Sequence, residues 1–489
     1  MKRLFGILAA LAVLTTSCGG NDDPIVENEA PVLVSSSPQD GTKLSKLSGG
    51  TWCDIVFTYD QKIQCTSDTQ KIITVDNDAS VSDIKAEGND LTVTLAHLQY
   101  GLEYTVSIPE GFVEGLHYTQ KKSAAVEFHF SVEEFTFEGV PVEIGDDNGS
   151  FSRLYILNEG SYPGVSTLDM LDLKNKKYCT DIFAQSNPQV VQGLGNTGND
   201  MAIFHDALYV LMNASNMVAK LSLPTAEMDF GLQVDSPRCV TQDDEYAYFT
   251  SFGGAVYGGE TPVVGKVYRL DGNFFESLEV GYQPEGLGIL DGKLYVANSG
   301  GYNYVHDNRI SVIDLSSFTV EKTIEAPVTN LFQVCVASGK VWVSSYGEST
   351  WTQDSEGNWN QSVSAPQSLT SVDPDGTCKI IEGVHSDKMT LCGKTIYCFG
   401  NDDEMTGGYN ICLYKIDTEN STFEKTSFAG SDLSRIIYPY GILVNPDNGD
   451  IYICDASFTG GSKVHCFNAS LKHKWTVDTG VGTGHLLLQ

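Results

Sequence analysis

One strand-like phrase recurs seven times beyond residue 150: "LYILNEG" (154–160), "LYVLMN" (208–213), "YFTSFGG" (248–254), "LYVANSG" (294–300), "VWVSSYG" (341–347), "IYCFG" (396–400) and "IYICD" (451–455). Its aromatics, Tyr155, Tyr209, Phe249 (or Tyr248), Tyr295, Trp342, Tyr397 and Tyr452, fall roughly 40–55 residues apart. A second phrase follows each copy: "TLDMLDL", "VAKLSL", "KVYRLDG", "RISVIDL", "LTSVDPDG", "LYKIDT" and "KVHCFNA". A unit of this length reads as four short strands, too few to bury their own faces. Seven such units satisfy one another by standing in a ring, which predicts a seven-bladed β-propeller over 151–489. WD and kelch signatures are absent.

The phase of the repeat predicts how the ring closes. A strand precedes each aromatic strand, as in "QPEGLGIL" (283–290) and "YPYGILVN" (438–445), but none is evident before Leu154. The last nine residues, "VGTGHLLLQ", match that strand and have no blade after them. The C-terminal strand is therefore expected to complete blade 1, which removes an exposed edge.

With strands named A to D from the channel outward, the A–B turns ("LDGK", "ASGK", "LCGK", "NPDNGD") and C–D turns ("LKNKK", "PTAE", "SSFT") are short. The B–C loops, on the opposite face, are long and aromatic. They carry Tyr162, Tyr257, Tyr302, Tyr304, Trp351, Trp359, Tyr409 and Phe458. The loop "NSGGYNYVHDN" is far longer than the two to five residues or so that a hairpin needs. Elaboration of one face predicts a recognition surface at one mouth of the channel. The D–A connections open onto the same mouth. Aligned A strands place Asn199, Arg238, Glu285, Phe332, Asp387, Tyr440 and Gly484 at one position around the rim, with Asp200, Gln333, Lys388 and His485 at the next. Such a mixture of amide, charge and aromatic suits a polar ligand with apolar edges.

Residues 31–135 alternate in β-type runs ("CDIVFTYDQKI", "DLTVTL", "LEYTVSI", "VEFHFSV") broken by "SPQDG" and "PEG". That is the pattern of a β-sandwich, and its order resembles a bacterial Ig-like domain, a module that serves as a stalk or spacer. Residues 136–150, ending in "EIGDDNGS", read as a linker. The chain as a whole is expected to be all-β: an N-terminal Ig-like β-sandwich followed by a seven-bladed propeller.

The N-terminus "MKRLFGILAALAVLTTSCGGNDDP" has two basic residues, then an apolar run too short to span a bilayer, then small residues before Cys18. It reads as an export signal over 1–17. "TTSC" resembles a bacterial lipobox, which implies lipidation of Cys18, and residues 18–30 resemble the acidic export tag and linker of surface lipoproteins. The formal charge of −33 argues against nucleic acid, whose affinity rests on basic residues neutralising phosphates. Eleven cysteines remain after Cys18, without CxxC spacing. Buried thiols and the cross-strand pairs Cys454–Cys466 and Cys53–Cys65 are both open. HExxH, GxSxG and P-loop motifs are missing, and the nine histidines show no ligand pairing. Neither a catalytic residue, a metal site nor a cofactor is expected, and binding is favoured over catalysis.

"LYILNEGSYPGVSTLDMLDL…GLGNTGNDMAIFHDALYVLMNASN" and "GYQPEGLGILDGKLYVANSGG…DNRISVIDLSSFTVEKTI" resemble the YncE-like propeller lipoproteins of gut Bacteroidetes. The best-understood branch, the BtuG type, captures cobalamin at the cell surface and passes it to a TonB-dependent outer-membrane transporter. The resemblance implies a surface-exposed, lipid-anchored outer-membrane protein that captures a cobamide at one propeller face. The Ig-like domain and the Trp-bearing loop 345–368 depart from the compact BtuG plan. A glycan-binding lipoprotein of a polysaccharide-uptake system, with the tryptophans and tyrosines as stacking platforms, is the alternative. An adhesion or scaffold propeller, or a propeller enzyme, is a third.

Overall fold

The computed structural model describes residues 29–489 apart from 49, 117–120, 147–148, 162, 255–262, 273–274, 302–304 and 358. Almost all of the regular structure is strand, and among the described residues no helix is long and apolar enough to cross a membrane. The chain divides into two compact units, 1–134 and 135–489.

In the first unit two four-stranded sheets face each other. One is ordered Leu33–Ser37, Cys53–Tyr59, Asp90–Ala96, Ser80–Glu87, and the other Thr42–Leu44, Val126–Val132, Glu103–Ile108, Thr74–Val75. Strict alternation sends Ile55, Phe57, Leu91, Val93 and Leu95 inward to meet Tyr104, Val106, Phe128 and Phe130. Phe57 meets Phe128 edge-on at 5.4 Å. This is the β-sandwich that the alternation predicts.

The second unit is the propeller. Blades 2 to 7 are sheets whose inner strands are Gly198–Phe204, Pro237–Gln242, Pro284–Leu290, Leu331–Ala337, Lys388–Cys392 and Pro439–Val444. In blade 1 the inner strand is Thr483–Leu488, antiparallel to Arg153–Asn158, with Leu154 opposite Leu488 and Leu157 opposite His485. The last strand in the chain thus closes the first blade. Each B strand is sandwiched between neighbouring blades, so its residues are buried on both faces and read as apolar runs instead of alternating. The repeated aromatic fills the seam between blades. Tyr155 and Leu157 pack with Leu208 and Val210 of blade 2, while Leu154 and Ile156 pack with Tyr452, Cys454 and Val464 of blade 7.

Two details differ from the sequence reading, and a third answers what it left open. Residues 136–150 are not a linker. Val140–Pro141 adds a fifth strand outside Lys177–Cys179, and Phe137 and Ile144 are buried in the blade seams on either side. Gly139 permits this docking, since a Cβ there would lie 2.4 Å from the Tyr178 carbonyl. The blade 5 insertion is largely a two-stranded hairpin, Glu348–Gln353 with Trp359–Ala365. The eleven cysteines are free thiols. Register explains the unbridged pairs: Cys454 lies opposite Val464, with Cys466 opposite Tyr452, and Cys53 and Cys65 pair with different strands.

Candidate functional site

The A strands enter the ring irregularly, in a way that repeats. Thr197, Ser236, Gln283 and Asn330, each two residues before a rim position, adopt left-handed backbone with φ of 57°, 47°, 40° and 56°, which non-glycine residues seldom do. Just beyond, the ladder to strand B shifts register at Gly198/Asp200, Pro237/Val240, Pro284/Leu287, Leu331/Val334 and Pro439/Gly441. Asn199, Arg238, Glu285, Phe332 and Tyr440 lie inside these bulges. A bulge inserts a residue that the ladder does not count and re-aims its side chain. Blade 6 pairs without a shift.

The result is a cavity of about 350 Å³ lined from all seven blades. Of the rim residues expected from sequence, it brings together Asn199, Arg238, Glu285, Phe332 and Tyr440, with Asp200, Gln333, Lys388 and His485 from the next position. In blades 6 and 1 the lining residue is the later one, Lys388 or His485, in place of Asp387 or Gly484. Gly484 is crowded: a Cβ would meet the Tyr440 ring at 2.9 Å. Sequence reasoning missed Glu159, Phe252, Ser299 and Tyr346, which also line the cavity. Each is the first residue after its B strand, visible in the repeat as "NEG", "SFG", "NSG" and "SYG". In blades 3 to 5 a buried serine fixes this corner. The hydroxyls of Ser251, Ser299 and Ser345 donate to the carbonyls of Asp235, Gln283 and Thr329 and accept from the N–H of Gly253, Gly301 and Gly347.

Charges in the cavity are mostly matched. Arg238 makes a bidentate pair with the buried Glu285, at 2.9 and 2.8 Å, donates to Asn199 Oδ1 at 2.5 Å, and lies 4.5 Å over the Phe252 ring. His485 lies 3.6 Å from Glu159 and 4.0 Å from Asp200. Burial alone would raise the Glu159 carboxyl, but His485, Lys388 and the Tyr440 hydroxyl hold it below its ordinary value. Burial pushes the Asp200 carboxyl up, against the pull of His485 and the N–H groups of Val240 and Met201. It raises Asp387 too, with Lys388 opposing.

Lys388 is held differently. Its Nζ lies 4.4 Å from the Phe332 ring centre, 4.9 Å from Tyr440 and 5.9 Å from Tyr346. Phe332 and Tyr346 stack at 4.2 Å. Its one polar partner within hydrogen-bond range among the described residues is the Tyr346 hydroxyl, at 3.4 Å. Three aromatic faces stabilise the ammonium by cation–π attraction but accept no conventional hydrogen bond. An ammonium has three donors, so this one can take an acceptor brought into the cavity. Cys239, the thiol in the wall, is pushed well above its ordinary pKa by burial and by Asp200 and Glu285, which keeps it protonated and a poor nucleophile. Among the described residues no three His, Cys, Asp or Glu side chains gather as a metal site.

The aromatic loop residues are only partly placed. Cys18, Tyr162, Tyr257, Tyr302 and Tyr304 lie outside the described residues. Trp351 and Trp359 fall by register on opposite strands of the blade 5 hairpin. Tyr409 stands outside the cavity and is 68% exposed. Phe458 packs edge-on against Tyr440 at 5.5 Å.

Residues 27–132 match the bacterial Ig-like domain family. No curated protein matches the chain in sequence. Among solved structures the chain is similar to a Bacteroides fragilis protein described provisionally as a 6-phosphogluconolactonase, at 10% identity and TM-score 0.46, covering 69% of this chain and 98% of that one. It is also similar to apo AztD of Citrobacter koseri, at 13% identity and TM-score 0.43, covering 69% and 97%. A third is the Synechocystis apocarotenoid oxygenase, at 11% identity and TM-score 0.46, covering 72% and 97%. By the matched domain and the topology of the sheets, the chain carries a bacterial Ig-like domain followed by a propeller.

Proposed function

We propose that this protein is a surface-exposed, lipid-anchored outer-membrane protein that captures a small ligand at the propeller mouth and delivers it to a TonB-dependent transporter. The supporting observation is the cavity, to which all seven blades contribute and in which Lys388 retains donor capacity. The one thiol in the wall is held protonated, which favours binding over nucleophilic chemistry.

The ligand we infer is a cobamide, on the strength of the sequence resemblance. Chemically the match is reasonable. A corrin is broad, nearly neutral and fringed with amides, so the acidic chain does not repel it, and an amide carbonyl can accept from Lys388. At about 350 Å³ the cavity is at the small end of ligand pockets. It admits a side arm, while the broad body lies across the mouth. A glycan is the second reading, favoured by the exposure of Tyr409 and Tyr438, which offer faces for a sugar ring.

Gel filtration of residues 19–489 with cyanocobalamin tests this directly, because the visible absorbance should co-elute with the protein. Lys388→Met should weaken binding about tenfold or more, in keeping with loss of a charge-assisted hydrogen bond. Absence of co-elution, with retention on a polysaccharide gel, would reject the cobamide and keep the site. Localisation rests on residues 1–30. Cys18→Ala should release the protein from membranes, and protease added to intact cells should digest the wild type. Either failure would reject the anchor or the surface exposure.

A further inference from the structure

Beside the cavity, blade 7 presents a second recess of about 490 Å³, floored by Ile437, Tyr438 and Phe458. Ile437 is 80% exposed and Tyr438 50%. Exposed apolar groups grouped around a recess mark a binding surface more often than scattered ones do. The two recesses adjoin through packed aromatics. Tyr440 lines the cavity and also stacks with Tyr438 at 5.9 Å, 27° between planes, while Phe458 stands perpendicular to it.

The shelf is held open by its own backbone. The buried Asp455 carboxylate accepts from the N–H groups of Ile437 and Tyr438, at 3.0 and 2.7 Å, and the Tyr438 carbonyl accepts from Ala456 N–H at 2.9 Å. Phe458 rests against Gly482, where a Cβ would intrude to 2.8 Å from the ring. A pinned aromatic surface loses little conformational freedom on binding, which favours affinity. The charges at its edge are already engaged: Asp455 by two N–H groups, and Lys463 by Asp478.

We propose that this shelf is a second subsite, which takes a flat, uncharged ring face of the same ligand whose polar arm enters the cavity at Lys388. This rests on the capture function proposed above. The contact of Tyr440 with Tyr438 and Phe458 makes one ligand spanning both recesses the simplest occupant, and each recess is of small-molecule size. A corrin and a pyranose both present such a face.

The test uses residues 19–489 with two probes: cyanocobalamin by calorimetry, and soluble starch, xylan and mannan by affinity electrophoresis. The variant Ile437→Ser with Tyr438→Ser removes exposed groups, and Val191→Ser, at a site 95% exposed and outside both recesses, is the control. The double variant should melt like wild type yet bind the recognised probe at least tenfold more weakly, with Val191→Ser unchanged. Loss toward cyanocobalamin identifies a corrin face, and loss toward a polysaccharide a sugar face. Wild-type binding that the double variant retains in full would overturn the shelf and leave the capture function standing. Failure of the wild type to bind any probe would overturn both.

Discussion

Residues 135–150 offer a clean test of where the propeller begins. A chain starting at Phe135 keeps the outer strand of blade 1, whereas a chain starting at Phe151 loses it. The difference can be estimated. Phe137 and Ile144 are 4% and 1% exposed, and burial of each contributes about 1.5–3 kcal/mol, an upper figure because unfolded chains already hide some apolar surface. Hydrogen bonds from Val142 N–H to the Lys176 carbonyl and between the Glu138 backbone and the Gln185 amide go as well, at about 0.5–1.5 kcal/mol each. With two side chains and three hydrogen bonds the loss is roughly 5–10 kcal/mol, set against about 5–15 kcal/mol for a whole domain. Urea unfolding followed by tryptophan fluorescence should therefore find the Phe135 chain as stable as the propeller transition of the full protein. The Phe151 chain should unfold at a much lower midpoint or fail to fold. Equal midpoints would show that 136–150 is a tether after all, and that the two buried side chains contribute nothing.

Three further outcomes follow from the same geometry. Thr483 is fully buried and its hydroxyl donates to Asn158 Oδ1 across the closure, so Thr483→Val should cost about 1–3 kcal/mol and deletion of 483–489 should abolish the cooperative transition; wild-type melting of either would contradict the closure. Burial raises the Asp387 pKa, so the folded state binds its proton more tightly than the unfolded chain does and its ionised form is destabilising; Asp387→Asn should raise the melting temperature at pH 7, with the advantage fading as pH falls from the raised folded pKa to the ordinary carboxyl value, and an advantage constant with pH would refute the cause. Residues 19–489 unfolded without reductant should yield eleven reactive thiols, whereas in the native state Cys398, pushed up to about 12 by burial, should resist alkylation; fewer thiols in the unfolded chain would reveal a disulfide.

The ring and its closure were legible because a period and a phase are properties of many residues at once. The apolar B strands announce burial on both faces, and "VGTGHLLLQ" matches the inner strand that precedes them. Asn199, Arg238, Glu285, Phe332 and Tyr440 were found because the bulge repeats in register with the strand. Glu159, Phe252 and Tyr346 were not, since the corner after strand B begins loops of unequal length that blur the alignment. The blade 5 hairpin carries polar residues on both strands, so it lacks the apolar alternation that marks a strand. Residues 136–150 anchor through Phe137 and Ile144 with a strand of only two residues between them, below what periodicity can detect.

The bulges carry a consequence for how such a protein diversifies. In five blades the side chain offered to the cavity belongs to a residue that the ladder does not count, so its identity is uncoupled from strand pairing and from the packing of the seams. The same place around the ring holds asparagine, arginine, glutamate, phenylalanine and tyrosine, although the strands behind it share one apolar plan. Substitution there re-chemicalises the mouth without repacking a blade. A lineage of such rings can therefore change what it recognises in small steps at the rim, with a buried pair such as Arg238 and Glu285 changing together.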